Sequence, residues 1–402
     1  MRLLVILPYA PSATRVRSRM LLEELTRRHE VTLLALAWNT SDQETLAAWR
    51  ERGLDVVAVP HGRADQLRAL AGDPRRPLQQ MVATAPLLAR LARQRISEAA
   101  RAGRPYDAAH VEHLRGAAAA DLTTPLGVRT VFDAVDCLAA LARLTRRHNP
   151  NLLVRGVAAF EEGRTRRYER ALVAAADAVT VVAERDRLAL LQGGAPRRIT
   201  VVPNGVAASA RPAALTAAPV AVFTGKLSYH ANQAALRLLL RDIWPLVRAA
   251  EPAARLLVAG AEPPGWMQHA GRDGVELVAN PAELAPLIAR ARVALAPTVY
   301  SVGIQNKVLE ALAEGVPVVA TPSALAGLPS AAREFVLSGD TPAAFAAAAI
   351  RLLRDDALAA NLGAAGHAYV RRHLTWSAAA VAFEALYAGT LAPASLPQPE
   401  VA

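Results

Sequence analysis

The 402 residues are 53% hydrophobic, 20% charged and only 4% aromatic, which excludes a disordered chain and suits two domains whose cores are filled by Ala and Leu. The single cysteine, Cys137, excludes an internal disulfide and a cysteine-based metal cluster. No apolar run reaches the roughly 18 residues of a membrane span, and the N-terminal run Leu3–Leu7 is too short for a signal peptide, so a cytoplasmic location is expected.

Short apolar runs alternate with helical periodicity along the chain. The pattern predicts strands at 3–7, 31–36, 56–59, 108–111, 128–132, 178–182 and 199–202, with helices at 16–28 and 157–175 among the segments between them. Pro203-Asn204-Gly205 is a turn signal, after which the pattern restarts. The second series has strands at 220–224, 255–259, 275–278, 293–296 and 317–320, and helices at 231–240, 304–314 and 343–354. Continuous apolar strands separated by helices mean parallel sheets covered on both faces. An α/β fold of two doubly wound, Rossmann-like domains is expected, joined near 206–218 and facing each other across a cleft at the carboxyl ends of their strands. The first loop, Pro8–Arg15, lacks the glycines of a dinucleotide fingerprint, which argues against NAD. The tail 391–402 reads as disordered.

Charge is spread unevenly. Residues 1–206 hold 31 basic and 21 acidic side chains, residues 207–402 hold 15 and 14, so the net +11 resides almost wholly in the first half. Such a surface attracts anionic lipid, nucleic acid or a phosphorylated acceptor, or is simply a solvated arginine-rich face. Of the 46 cationic side chains only two are lysines, Lys226 and Lys307, and both fall in segments that read as anion sites.

The first of these is Ala296–Thr321, APTVYSVGIQNKVLEALAEGVPVVAT. A strand ends, a loop follows, and a helix opens near Ile304 and stops at Gly315. Its free N–H groups and dipole favour an anion, and Gly303 lets the backbone approach one closely. Gly303, Lys307 and Glu310 share one helix face. A cation one turn in can meet a diphosphate, and a carboxylate one turn further can accept both hydroxyls of a ribose. The alternative is a Lys307–Glu310 surface ion pair. The second segment is Phe223–Asn232, FTGKLSYHAN, in which a strand runs into Gly225-Lys226 at the ligand edge of the same sheet, either as a phosphate contact or as an ordinary turn.

These segments resemble glycosyltransferase family 4, in its bacterial exopolysaccharide-type members. VVPNGV at 201–206, FTGKLSYHAN and GIQNKVLEALAEGVPVVAT all match phrases of that family, and WSAAAVAFEALY at 376–387 resembles the helix that crosses back to the first domain. The resemblance implies GT-B architecture, with an acceptor-side domain at 1–206, a donor domain at 207–374 and a returning helix at 375–390. It implies a donor set of Gly225, Lys226, Gly303, Ile304, Asn306, Lys307 and Glu310, with Glu310 on the ribose and the backbone of Gly303 and Ile304 facing diphosphate and sugar. The chain departs from the family at three positions. Val302 replaces a sugar-contacting glutamate, Ala231 replaces a second lysine, and Asp133 stands where a cleft histidine is usual.

In the first half, Asp133 and Asp136 follow a strand and are candidates to orient an acceptor hydroxyl or act as base, although Asp136 also fits an N-cap for 137–144. His113 is a candidate acceptor or donor contact. His110, Glu112 and His113 do not have a known metal-ligand spacing, so no metal is expected. Arg15, Arg17 and Arg19 fit either an acceptor phosphate or a solvated helix start, and Arg164, Arg167 and Tyr168 fit either a membrane face or an exposed helix. The resulting expectation is a retaining, metal- and cofactor-independent hexosyltransferase of cell-surface polysaccharide or glycoconjugate synthesis. It would use a UDP- or GDP-sugar and a glycan or lipid-linked acceptor, with Asp133, Lys226 and Lys307 as catalytic groups and no nucleic-acid partner. Its rivals are a nucleotide-sugar epimerase and a non-catalytic nucleotide-sugar-binding protein.

Overall fold

The computed structural model describes residues 1–70, 75–149, 151–192, 199–214, 216–267 and 273–390. The expected tail 391–402 lies outside them. Packing divides the described residues into two units, Met1–Pro203 together with residues 376–390, and Asn204–Thr375.

The first unit carries seven strands: β1 (Arg2–Leu7), β2 (Glu30–Ala37), β3 (Asp55–Pro60), β4 (Ala108–Glu112), β5 (Thr130–Val135), β6 (Ala178–Val181) and β7 (Ile199–Val201). They form one parallel sheet in the order β3-β2-β1-β4-β5-β6-β7, so the strand order reverses between β1 and β4. The apolar runs are continuous because both faces are covered. Leu4 and Ile6 of β1 enter one core cluster, and Leu3, Val5 and Leu7 enter the other. Helix Trp376–Ala388 completes the second cluster with Trp376, Phe383, Leu386 and Tyr387, beside Leu21, Leu22 and Leu25 of helix Val16–Thr26. Burying a side chain such as Phe383 contributes roughly 2 kcal/mol. Arg129 Nε donates to the Leu386 carbonyl at 2.9 Å, and Glu384 accepts from Arg28 and His29, which pins the C-terminal half of the helix.

The second unit carries six: β8 (Val220–Thr224), β9 (Arg255–Gly260), β10 (Val275–Ala279), β11 (Val293–Ala296), β12 (Val318–Ala320) and β13 (Val336–Ser338). Their parallel order is β10-β9-β8-β11-β12-β13, with the reversal between β8 and β11. Phe223, Val258, Leu295 and Val319 pack there with Phe345 and Leu352 of helix Pro342–Arg354, whose first turn is capped by Thr341 accepting from the Ala344 N–H. The expected helix at 231–240 becomes His230–Leu238, followed by a wider π turn over Leu239–Ile243. Pro245 has no N–H to continue the regular ladder, and the Trp244 N–H reaches back to the Leu239 carbonyl instead. Among the described residues no helix is long and apolar enough to cross a membrane.

Candidate functional site

In open parallel sheets ligands bind beyond the carboxyl ends of the strands, where the strand order reverses. In the second unit that place lies between β8 and β11. The two strands are paired, so the loops that follow them, Gly225-Lys226 and Pro297–Gln305, emerge side by side.

Gly225 has φ +143°, and a Cβ there would lie 3.0 Å from Asn232 Nδ2 and 3.6 Å from Lys307 Nζ. Only glycine leaves that space open. A Cβ on Gly260, at the end of β9, would lie 1.8 Å from the Gly225 carbonyl oxygen, so both glycines are required by close backbone approach. The helix after β11 runs Asn306–Ala313, beginning two residues later than its sequence suggests. Gly303, with φ +63°, turns the chain into it, and its N-cap residue Gln305 makes no side-chain capping bond.

The two lysines meet through one amide. Lys307 Nζ donates to Asn232 Oδ1 at 2.8 Å, and Asn232 Nδ2 donates to the Lys226 carbonyl at 2.8 Å. Lys307 also lies 4.0 Å over the Phe223 ring. Burial pushes its ammonium down to about 7, against the pull of Glu310. Burial likewise raises the Glu310 carboxyl, with Lys307 opposing. No salt bridge joins the pair, so the surface ion pair considered from sequence does not form. The Glu310 carboxylate takes no hydrogen bond from any described residue. Lys226 is half-exposed and pairs with Glu262 at 2.8 Å, and Glu262 also accepts from Ser228. Asn306 is held from the side, its Oδ1 accepting from Asn204 Nδ2 at 2.9 Å. Ile304 is buried, and so is Ala231, where the family has a lysine. Asn232, one residue on, is what faces Lys307. Behind it His230 Nδ1 and the buried Tyr300 hydroxyl share a 2.8 Å hydrogen bond. Asn232, His230, Tyr300 and Glu262 were not picked out from sequence; the first two stand in the quoted phrase YHAN, but nothing local marks them as polar partners of distant loops.

The first unit differs from expectation. Asp133 is fully buried. It accepts from Arg17 Nε at 2.7 Å, Arg17 Nη2 at 3.0 Å and Thr180 Oγ1 at 2.8 Å. Burial alone would raise this carboxyl, but Arg17 holds it below the usual range. A carboxylate so engaged is a poor base, and Arg17 serves Asp133 rather than an acceptor phosphate. Asp136 is not the N-cap of the next helix, Leu138–His148. That role passes to Glu169, which accepts from the Leu138 N–H at 2.7 Å and reaches the Ala139 N–H at 3.4 Å. Asp136 Oδ1 has no partner among the described residues, and burial with Asp186 and Glu169 nearby pushes its carboxyl up to about 8.

His110, Glu112 and Asp133 bring ligand atoms within 4.8 Å of one another. Each is engaged through at least one atom, Arg17 on Asp133, Ser18 on Glu112 and the Tyr387 hydroxyl on His110 Nδ1, while His110 Nε2 and Glu112 Oε2 find no partner among the described residues. With a guanidinium already seated on one carboxylate, the cluster fits a buried polar core better than a metal centre. His113 has φ +63° and Val135 φ +68°, strained values for such side chains, at the ends of β4 and β5. His113 Nδ1 accepts from the Arg115 N–H, and burial with Arg115 and Arg15 nearby pushes the ring down to about 3. Tyr9 gathers the cations: Arg15 lies 3.9 Å over its ring and Arg115 donates to its hydroxyl. Tyr9 and Arg115, which sequence reading passed over, thus join His113 and Arg15 where β1 and β4 end.

Two family models cover most of the chain. Residues 12–205 match a glycosyl transferase 4-like domain, and residues 218–355 match glycosyl transferases group 1. No curated protein sequence matches. Among solved structures, sucrose-phosphate synthase from Thermosynechococcus elongatus superposes with a TM-score of 0.70 at 18% identity, covering 96% of this chain and 98% of that one. Anabaena HepE in complex with UDP-glucose gives 0.62 at 13%, with 96% and 98% covered. An S. aureus TarM variant in complex with fondaparinux, α-GlcNAc-glycerol and UDP gives 0.65 at 10%, with 96% and 100% covered. The fold and its two matched domains define a GT-B glycosyltransferase. The chain belongs to glycosyltransferase family 4.

Proposed function

We propose that this transferase moves a hexose from a nucleoside diphosphate sugar to a glycan or lipid-linked acceptor, with retention and without a metal. The observation that carries the donor assignment is the Lys226–Asn232–Lys307 linkage beside the N-terminus of helix Asn306–Ala313, with Glu310 one turn further. Charge develops on the leaving diphosphate as the anomeric C–O bond breaks. Two lysines and the helix N-terminus meet that charge, which is the role a divalent cation would otherwise fill. Glu310 accepts hydrogen bonds from ribose hydroxyls. UDP is favoured over GDP because HepE and TarM were crystallised with uridine nucleotides.

Retention is favoured by the state of Asp133. Its carboxylate is committed to Arg17, which leaves it a poor base for the direct displacement that inversion needs. Arg15, Arg115 and the neutral His113 make the ends of β1 and β4 fit for a phosphate-bearing acceptor.

A thermal-shift panel of UDP, GDP and their sugars on the wild type and Glu310→Ala tests the donor site. Stabilisation by one nucleotide family, lost in the variant, is expected. A panel without a selective stabiliser removes the assignment. Conversion of a UDP-sugar to its epimer without acceptor would favour the epimerase instead.

A further inference from the structure

Five large apolar side chains that the fold leaves exposed fall within Leu152–Phe160, at the start of helix Leu152–Ala175: Leu152, Leu153, Val154, Val157 and Phe160. Leu152 and Leu153 are 74% and 82% exposed. The helix already has a buried face, formed by Ala158, Glu161, Thr165, Tyr168 and Leu172, so Leu153, Val157 and Phe160, spaced i, i+4 and i+7, form a second one that no apolar side chain among the described residues covers, with Leu152 beside it at the helix start. They sit at the tip of an antiparallel hairpin. Helix Leu138–His148 precedes the tip, Glu162 accepts from Arg143, and Asn151 caps the second helix by accepting from the N–H groups of Leu153 and Val154.

The rim of this tip is cationic. Residues 143–167 hold seven arginines and two glutamates, and no acid stands between 143 and 160. Both glutamates are engaged. Glu161 accepts from the Leu78 N–H and pairs with Arg164, while Glu162 pairs with Arg143 and Arg146. Arg155 donates to the Arg146 carbonyl, and Arg164 lies 3.3 Å over the Phe160 ring. Exposed aliphatic side chains ringed by guanidinium groups match the headgroup boundary of an anionic bilayer, where tails take up the apolar groups and phosphates meet the arginines.

We propose that this hairpin tip docks the protein on an anionic lipid surface. Charge complementarity selects this occupant over a second copy, because two such tips repel one another. Of the residues the sequence offered for a membrane face, Tyr168 is buried, while Arg164 belongs to the rim and covers Phe160. It is independent of the donor site, and its test needs no nucleotide.

The test is co-sedimentation of the full chain with phosphatidylcholine vesicles, with and without phosphatidylglycerol. Binding is expected only with phosphatidylglycerol and should weaken as salt rises. The triple variant Leu152→Ser, Leu153→Ser, Phe160→Ser should lose at least ~10-fold in partitioning, with unchanged circular dichroism and Tm. Arg147→Gln with Arg155→Gln should flatten the salt dependence. Leu188→Ser, at a leucine 46% exposed in another helix of the same unit, should bind as wild type does. Binding that ignores phosphatidylglycerol or survives the triple substitution overturns the proposal. So does a dimer seen by light scattering that the same substitutions dissolve, which would make this face a contact between copies.

Discussion

Asn232 Oδ1 accepts a 2.8 Å hydrogen bond from Lys307 Nζ, while the other end of the same amide donates to the carbonyl of Lys226. One neutral side chain thus fixes a buried ammonium and the loop that follows β8. Asn232→Ala frees both, and a hydrogen bond to a charged group contributes about 1.5–3 kcal/mol. UDP affinity by calorimetry should therefore fall roughly tenfold or more. Asn232→Asp should raise the Lys307 pKa and weaken diphosphate binding, because it places an anion where the ligand's charge must sit. Wild-type affinity in both variants would show that the amide does not organise the site.

Lys307 should take up a proton when a diphosphate binds. In the free protein burial holds its ammonium at about 7, so near neutrality part of the population is uncharged. A diphosphate beside it favours the charged form and raises that value. Affinity should then be highest below pH 7 and decline as pH rises from the free towards the bound pKa. Calorimetry of UDP binding at pH 7.5 (about half a unit above the free value) in buffers of different ionisation enthalpy should report a fraction of a proton absorbed. Lys307→Arg, whose charge is permanent, should abolish that uptake. Equal uptake in the variant would place the proton elsewhere.

Much of this was legible in the chain. Runs such as Leu3–Leu7 and Val220–Thr224 are buried in all but the first residue of the latter, so their strands and the restart between them could be read directly. β13 could not, because three residues, Val336–Ser338, give no periodicity to read. Gly225 and Lys226 lie beside Lys307, and Glu310 stands one turn further along the same helix. Asn232 and Glu169 were invisible as organising groups because each acts on backbone or side chains far along the chain. Asp133 misled for the same reason: a carboxylate at a strand end reads as available until Arg17, 116 residues earlier, is folded onto it.

Asp133→Asn tests that role. The substitution keeps the shape and leaves the Arg17 guanidinium buried without its counter-ion. Breaking one partner of a buried pair costs about 3–5 kcal/mol. A Tm loss of several degrees is expected, with UDP affinity at the second unit unchanged. A carboxylate acting as base would behave otherwise, with Tm kept and kcat lost. Arg17→Met together with Asp133→Leu, which removes both charges, should recover much of the lost stability.

The pH dependence of unfolding should carry the signature of Glu112. One oxygen of this carboxyl accepts from Ser18, the other has no partner, and burial pushes the group up to about 7 from 4.5. The folded chain therefore holds a proton that the unfolded chain releases between those values, and stability falls as pH rises through that window. Glu169 at about 7 and Asp136 at about 8 act in the same direction. His110 at about 4 and His113 at about 3 act oppositely: their unfolded forms bind protons first, so stability rises with pH up to about 6.5. The two trends oppose each other in acid; above about pH 6.5 the carboxyl decline is opposed by Lys307, whose unfolded form keeps up to about 10.5 a proton that the folded chain loses at about 7. Glu112→Gln mimics the protonated form. Relative to wild type it should gain stability progressively from pH 4.5 to 7 and hold the gain above, on the order of 1–3 kcal/mol. Denaturant titrations at a series of pH values measure this difference directly, and a difference independent of pH would mean that Glu112 is ionised in the folded chain at an ordinary pKa.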